Sequence, residues 1–174
     1  MSRPSQRDRI LDAYTALVVE SGPEVVTLEG VAAGAGVSKG GLLYHFGSRD
    51  ALLDGLLERA VALNAADVER GRSSPEGLAR YYLRTSVDDP AADSAIYRVM
   101  VALFKLACTE KRAAEATRAC MAAWQDALTE DLGDPLTAQL VAVVGDGIYL
   151  RAIAGDTSES LGRDWDVVLE RLRR

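Results

Sequence analysis

The sequence predicts an all-α protein in which an N-terminal head of three short helices, containing a helix-turn-helix, is joined by a long helix to a C-terminal helical bundle. Three observations predict this class. Apolar residues recur at helical spacing, no sustained alternation of apolar and polar residues lies between hairpin turns, and turn-forming clusters divide the chain into helix-sized segments. With 174 residues, 48% of them hydrophobic, the chain is long enough to bury a core.

The first two helices are indicated by apolar stripes and terminating residues. A stripe over residues 10–18 predicts the first helix, which ends at the Ser-Gly-Pro sequence of residues 21–23. Residues 25 and 26 are expected to lead in extended form to Thr27, a suitable N-cap for a second, short helix. Gly36 ends that helix.

The remaining helices follow by the same reasoning. Ser38 is the candidate N-cap of a third short helix that ends by Gly47, and a leucine-rich long helix runs from Arg49 to about Arg70. Residues 71–75 form a linker-like cluster. Beyond it, with breaks at Asp88-Asp89-Pro90 and elsewhere, the sequence predicts five helices at residues 76–87, 92–108, 110–131, 136–154 and 159–173.

Composition excludes several classes of site. His45 is the only histidine, so sites that need two or more histidines cannot form within one chain. Cys108 and Cys120 are the only cysteines, and in a cytosolic protein they are expected to be reduced core residues. No acid, thiol and base cluster in the sequence. The sequence therefore predicts no catalytic residue, no metal site and no cofactor.

The sequence also predicts a cytoplasmic protein that does not interact with a membrane. The longest strongly apolar runs, residues 101–104 and 140–144, are far shorter than the roughly 20 residues of a membrane span. Residues 1–8 are polar and lack the apolar core of a secretory signal.

Charge is unevenly distributed. The net charge is −6, yet bases gather at Arg3, Arg7 and Arg9, and again at Lys39 and Arg49. These two small basic patches could meet an anionic partner. The N-terminal arginines are either a solvated tail or an arm that reaches a phosphate or a minor groove.

Two short helices separated by Ala35-Gly36-Val37-Ser38 have the spacing of a helix-turn-helix, in which the second helix enters the DNA major groove. A glycine in the turn avoids the Cβ clash of a left-handed backbone. Spacing alone is a weak signal. The second helix, however, presents Lys39, Tyr44 and His45, and Arg49 follows it.

Residues 27–53, with the sequence TLEGVAAGAGVSKGGLLYHFGSRDALL, resemble the DNA-binding signature of the tetracycline-repressor (TetR) family. The resemblance extends over about residues 7–60. It implies an all-α homodimer with a DNA-binding domain over residues 1–50 and a ligand-binding and dimerisation domain over residues 51–174.

The resemblance also implies which residues contact a double-stranded operator. Its base-reading positions fall on Lys39, Gly40 and Gly41, where the glycines would allow close backbone approach. Its phosphate contacts fall on Thr27, Ser38, Tyr44, His45 and Arg49. Two positions depart from the family pattern, since Leu43 replaces an aromatic residue and Gly41 a residue with a polar side chain. Alternatively, Lys39 is a solvated surface residue, Tyr44 belongs to the core, and His45 is structural.

Large side chains in the second half of the chain are either plain core or the lining of a cavity for a small-molecule effector. The candidates are Tyr81, Tyr82, Tyr97, Met100, Phe104, Met121 and Trp124. The last two helices each carry an apolar face suited to a homodimer interface. Asp146 is expected to pair with an arginine or to cap a kink.

The sequence thus predicts a ligand-responsive transcriptional regulator that is not an enzyme, and most simply a repressor that binds a palindromic operator as a dimer. One alternative is a helical module that binds a small molecule or a protein and no longer binds DNA. A second alternative is an α-helical enzyme that uses carboxylate pairs or a thiol. Salt-dependent DNA binding distinguishes the first alternative, and a catalytic assay the second.

Overall fold

The computed structural model describes residues 5–156 and 164–172, and all regular structure within these ranges is helical. The fold class predicted from the sequence is confirmed. The helices are α1 (Gln6–Ser21), α2 (Leu28–Gly34), α3 (Lys39–His45), α4 (Arg49–Arg72), α5 (Leu78–Ala91), α6 (Ala95–Ala107), α7 (Lys111–Leu132), α8 (Pro135–Ile153) and α9 (Trp165–Leu172), with a one-turn 3-10 helix at Pro23–Val25.

The chain folds into two compact units. The first unit comprises Met1–Ala62 together with Arg98–Thr117, and the second comprises Leu63–Tyr97 together with Arg118–Arg174. The first unit therefore contains α1 to α3 and also most of α6, which lies much later in the chain. The division between residues 1–50 and 51–174 is a functional one and remains a prediction.

The first unit is built around the helix-turn-helix. Helix α1 packs against α2, and α2 packs against α3. Gly36 lies in the turn with a φ of +65°, the left-handed conformation that glycine adopts without a Cβ clash. Ile10, Val31 and Leu42 are fully buried and form part of its core. Each of the three short helices therefore contributes at least one buried apolar side chain to this core.

Contacts from α6 and α7 complete the first unit. Lys105 Nζ donates a hydrogen bond to the carbonyl oxygen of Val19 at 2.6 Å. Arg112 bridges two carboxylates on α4, with its Nη2 at 3.0 Å from Asp50 and its Nη1 at 2.6 Å from Asp54. These polar contacts join segments more than fifty residues apart in the sequence.

In the second unit, α5 packs against α8, and α9 packs against both. The core of this unit includes Leu83, Leu128 and Val141, all fully buried, and the ring of Trp165 from α9. The predicted helix over residues 159–173 lies partly outside the described residues, within which α9 begins at Trp165.

Three expectations about local structure are wrong. Helix α5 continues through Pro90 to Ala91 instead of breaking at Asp88-Asp89-Pro90, because a proline in the last turn removes only one intrahelical hydrogen bond. The chain turns later, at Asp93, whose φ is 48°. Residue 25 ends a 3-10 turn and only Val26 is extended. Cys120 is buried as expected, but Cys108 is exposed.

Helix α8 agrees with the predicted helix over residues 136–154 to within one residue at each end. Among the described residues, it is the one helix that could cross a membrane by length and composition, and 28% of its most apolar window is buried inside the structure. The expectation that no segment is long enough was wrong because it rested on continuous apolar runs, whereas the helix as a whole has a high mean hydropathy in spite of its few polar residues.

Candidate functional site

The candidate reading helix, α3, is fixed by side-chain caps. Thr27 Oγ1 accepts a hydrogen bond from the Gly30 amide at 3.1 Å, and Ser38 Oγ accepts one from the Gly41 amide at 3.0 Å. Two residues implied as phosphate contacts are therefore N-caps of α2 and α3. A capping hydroxyl uses its oxygen as acceptor, so its hydrogen remains available for an external acceptor.

Lys39, at the first turn of α3, forms an ion pair across the helix-turn-helix. Its Nζ lies 2.6 Å from Glu29 Oε1, and the two side chains are 55% and 63% exposed. The hydrogen bond from Lys39 lowers the pKa of the Glu29 carboxyl. The sequence analysis did not identify this partner, because the two residues are ten positions apart and lie on different helices. The ion pair therefore uses one of the three N–H donors of Lys39.

Beside Lys39, the surface of α3 is shaped by glycine. A Cβ built at Gly40 would have only the Ser38 hydroxyl oxygen nearby, at 3.9 Å, and one at Gly41 would approach that oxygen at 3.3 Å. The backbone is therefore open at Gly40, whereas at Gly41 the Gln6 and Val37 side chains also lie within 4 Å of the built Cβ. Close approach of this backbone to a base edge remains a prediction.

The other residues implied as DNA contacts lie on the same part of the first unit. The Tyr44 side chain is 87% exposed, so it does not belong to the core. Its ring meets the half-buried His45 edge to face, with ring centroids 5.3 Å apart. Arg49 Nη2 donates to the carbonyl oxygen of Pro23 at 3.1 Å. Arg49 thus begins α4 while its side chain folds back over the segment that precedes α2.

Both alternatives for the N-terminal arginines are wrong where the structure describes them. Arg7 and Arg9 lie within α1 rather than in a tail or an arm. The Arg7 guanidinium lies 5.1 Å from the centroid of the Phe46 ring and 3.5 Å from a Glu58 carboxylate oxygen. Arg9 donates to the carbonyl oxygen of Ala35 at 3.4 Å. Arg3 lies outside the described residues.

In the second unit, three of the predicted ligand residues form an aromatic stack. The ring centroids of Tyr82 and Trp124 are 4.8 Å apart, and those of Tyr81 and Trp124 are 6.4 Å apart. Tyr82 and Trp124 are buried, and Tyr81 is half-buried. The stack packs closely against α4, since a Cβ built at Gly71 would lie 3.0 Å from Tyr81 and 3.3 Å from Trp124.

A carboxylate is hydrogen bonded to one of these aromatic residues. Tyr82 Oη donates to Asp146 Oδ1 at 2.8 Å, so the partner of Asp146 is a tyrosine and the expectation of an arginine partner was wrong. Burial raises the pKa of Asp146, while the Tyr82 hydrogen bond lowers it. The close contact is possible because residue 145 is glycine, where a Cβ would lie 2.9 Å from Tyr82 Cζ.

Two further carboxylates and two tyrosines extend this arrangement. Tyr81 Oη donates to Asp67 Oδ1 at 2.6 Å, and the ring of Tyr97 packs edge to face against Tyr149 at 5.3 Å. Burial raises the pKa of Asp89, and the nearby Asp67 carboxylate raises it further. We name the whole set the acidic aromatic cluster; its members are Asp67, Tyr81, Tyr82, Asp89, Tyr97, Trp124, Asp146 and Tyr149.

The structure does not bring all predicted ligand residues into this cluster. Met100 and Phe104 belong to the first unit, and Met121 is 42% exposed. Conversely, the sequence analysis missed Asp67, Asp89 and Tyr149. In the sequence, these residues stand out only as polar residues within apolar helices. Ordinary surface positions have the same pattern, so it did not identify them.

Comparisons with known proteins agree with this architecture. Residues 10–56 match the sequence profile of bacterial regulatory proteins of the tetR family, and residues 76–174 match that of the tetracyclin repressor-like C-terminal domain. No curated protein sequence matches the chain.

Several solved structures share the fold over nearly the whole chain. The multidrug binding protein EbrR complexed with malachite green is 27% identical, with a TM-score of 0.75, and the match covers 97% of this chain and 98% of that one. A TetR family member from Streptomyces coelicolor A3, SCO1917, is 29% identical, with a TM-score of 0.70 and coverage of 97% and 98%. The SmeT–triclosan complex, at 21% identity, has a TM-score of 0.75 and coverage of 97% and 90%.

Proposed function

Because this chain belongs to the tetracycline-repressor family of transcriptional regulators, we propose that it represses transcription as a homodimer that binds a palindromic operator. The observation that carries the proposal is the exposed face of α3, where Lys39 and the two glycines after it stand beside the outward ring of Tyr44. A helix with a bare backbone face and a terminal lysine can contact base edges in a major groove. Two such helices in a dimer would occupy successive grooves, about 34–36 Å apart.

Each implied contact has a separate role in this proposal. Lys39 reads guanine edges, and Gly40 and Gly41 allow close approach of the backbone. The hydroxyls of Thr27 and Ser38 donate to phosphates, as do Tyr44, His45 and Arg49. These last contacts position the helix and carry no sequence information.

The DNA assignment is tested by measuring operator affinity against salt concentration, with operator fragments first selected from genomic DNA. Lys39→Ala should weaken specific binding and relax sequence preference. Arg49→Ala should weaken binding to all sequences and reduce the salt slope by about one. Lys111→Ala is the matched control, since its side chain is 88% exposed on α7 and should leave binding unchanged. Equal affinity of all three variants and the wild type would contradict the assignment.

The homodimer is supported by an apolar stripe along α8. Its exposed members are Leu136 at 64%, Leu140 at 39%, Val143 at 61% and Leu150 at 67%. Their spacing, with Gly147 completing the series, is that of a helix-packing seam, and a Cβ at Gly147 would meet no atom within 4 Å. We assign the stripe to a second copy of the chain rather than to lipid, since burying one apolar stripe against its own copy gives a closed twofold interface.

The interface is tested by the molar mass in solution. Val143→Glu should convert the dimer into a monomer, measured by light scattering after gel filtration. Val25→Glu is the matched control, because Val25 is 63% exposed on the first unit and receives the same new charge. A monomeric wild type, or flotation of the wild type with lipid vesicles, would overturn the assignment of the stripe.

The effector is proposed to be a lipophilic cation that binds at the acidic aromatic cluster. Aromatic faces attract cations, and the carboxyls of Asp89 and Asp146 are held in partly buried positions that favour a neutralising partner. EbrR, which is 27% identical, has been solved with malachite green, an aromatic cation. A ligand that binds the two states of the dimer with different affinity would shift the protein away from DNA.

Calorimetric titration with malachite green tests this effector class. Asp146→Asn should weaken binding by about tenfold, whereas Asp131→Asn, at an exposed position on α7, should not change it. Tighter binding of a neutral or anionic dye of similar size would remove the cation assignment and leave the DNA assignment intact.

A further inference from the structure

The first unit contains a cavity that shares one residue, Arg49, with the proposed DNA contacts and none with the acidic aromatic cluster. Its volume is about 250 Å³, and its walls come from α1, the 3-10 turn, α4 and the turn between α6 and α7. The side chains that matter for its chemistry are Tyr14, Glu24, Arg49, Leu53, Leu106 and Glu110. Drug-sized ligands occupy roughly 300–1,000 Å³, so this volume suits a smaller molecule.

The polar lining of the cavity is predominantly anionic. Asp50 also lines it, and its carboxylate is engaged by Arg112 at 3.0 Å. Glu24 and Glu110 have no ion-pair partner among residues 5–156 and 164–172. Among the described residues of the lining, Arg49 is the one cation, and its guanidinium donates to the Pro23 carbonyl oxygen. Two carboxylates are therefore available to a cationic occupant.

Within the described residues, the side chain of Tyr14 adds an unpaired hydroxyl group to the lining of the cavity. Tyr14 lines the cavity, is only 2% exposed, and its hydroxyl makes no hydrogen bond within the described part of the chain. The Tyr14 oxygen is not among the fully enclosed polar atoms that lack a partner, so it is accessible and can accept a hydrogen bond from an occupant of the cavity. Burial raises the pKa of Tyr14, with opposing contributions from Arg49 and Glu110, so the hydroxyl lies within electrostatic reach of both.

We propose that this cavity binds a short alkylammonium ion. The ammonium group would donate hydrogen bonds to the Glu110 and Glu24 carboxylates and to the Tyr14 hydroxyl oxygen, which together match its three N–H donors. The alkyl chain would lie against the buried side chains of Leu53 and Leu106. A carboxylate ligand is disfavoured, since it would face two carboxylates with one guanidinium already hydrogen bonded.

The proposal is tested on the full-length chain with n-pentylammonium chloride, by calorimetric titration and by amide chemical-shift mapping. Saturable binding is expected, with the largest shifts at residues of α1, α4 and the α6–α7 turn. Pentanoate and pentan-1-ol have similar length and should bind at least tenfold more weakly. Failure of n-pentylammonium to saturate, or equal binding of pentan-1-ol, would overturn the proposal.

Variants locate the site. Glu110→Gln should weaken n-pentylammonium binding by about tenfold, and Tyr14→Phe, which removes one oxygen, by about threefold or more. Glu115→Gln is the matched control, since Glu115 lies five residues later, within α7, and pairs with Lys111 outside the cavity. Circular dichroism confirms folding of each variant. Unchanged affinity of both cavity variants, or an equal loss in Glu115→Gln, would refute the site without bearing on DNA or effector binding.

Discussion

The hydrogen bond between Tyr82 and Asp146 is predicted to stabilise the second unit. Tyr82→Phe removes it together with the longer hydrogen bond of the same hydroxyl to the Ala142 carbonyl oxygen, at 3.4 Å. The substitution removes the hydroxyl that donates to Asp146 at 2.8 Å and keeps the ring that packs on Trp124. A hydrogen bond to a charged acceptor contributes about 1.5–3 kcal/mol. For a chain of this size, we therefore expect the thermal midpoint to fall by about 3 to 12 °C at neutral pH.

The decrease in the thermal midpoint caused by Tyr82→Phe should depend on pH. Burial raises the pKa of Asp146, and the Tyr82 hydroxyl lowers it because it stabilises the charged form. The bond therefore contributes fully above the pKa of Asp146 and less as the pH falls below it. The destabilisation caused by Tyr82→Phe should be larger at pH 7 than in acid.

Scanning calorimetry at several pH values measures both effects. Tyr44→Phe is the matched control, because its side chain is 87% exposed and should melt as the wild type does. In an Asp146→Asn background, Tyr82→Phe should lower the thermal midpoint by less, since the acceptor is then neutral. The reasoning would be refuted if Tyr82→Phe unfolded at the same temperature as the wild type at pH 7, or if the decrease in its thermal midpoint did not change with pH.

Three further predictions follow from single contacts. Glu29→Gln frees Lys39 and should raise DNA affinity about two- to fivefold at low salt, an effect that high salt removes. Gly145→Ala should lower the free energy of unfolding in urea by about 1–3 kcal/mol, because its Cβ meets the α5 tyrosine ring. Iodoacetamide should modify exposed Cys108 in the native protein and spare Cys120, which is buried with a pKa of about 11, as mass spectrometry would detect.

The helical architecture could be predicted because each determinant is local. Thr27 and Ser38 have the side chains of N-caps and occupy those positions in the structure. Gly36 has the left-handed φ that its place in the turn required. Pro90 misled the analysis because a proline breaks a helix interior, and the sequence does not indicate whether a further helical residue follows.

The partners of polar side chains were the least predictable part of the candidate sites. Lys39 pairs with Glu29 and Tyr82 with Asp146 across 10 and 64 residues, respectively. Such pairings depend on how helices pack, which periodicity does not specify. For the same reason, the sequence suggested aromatic residues as ligand contacts but not the carboxylates between them.

The membership of residues 98–117 in the first unit has a consequence for protein engineering. A chimeric regulator that joins residues 1–62 to the C-terminal domain of another protein lacks Lys105 and Arg112. The Val19 carbonyl and two α4 carboxylates are then left without their basic partners. A transplant that includes the later segment keeps these links. The smallest exchangeable module is therefore discontinuous in sequence, and a functional graft must carry two pieces of chain.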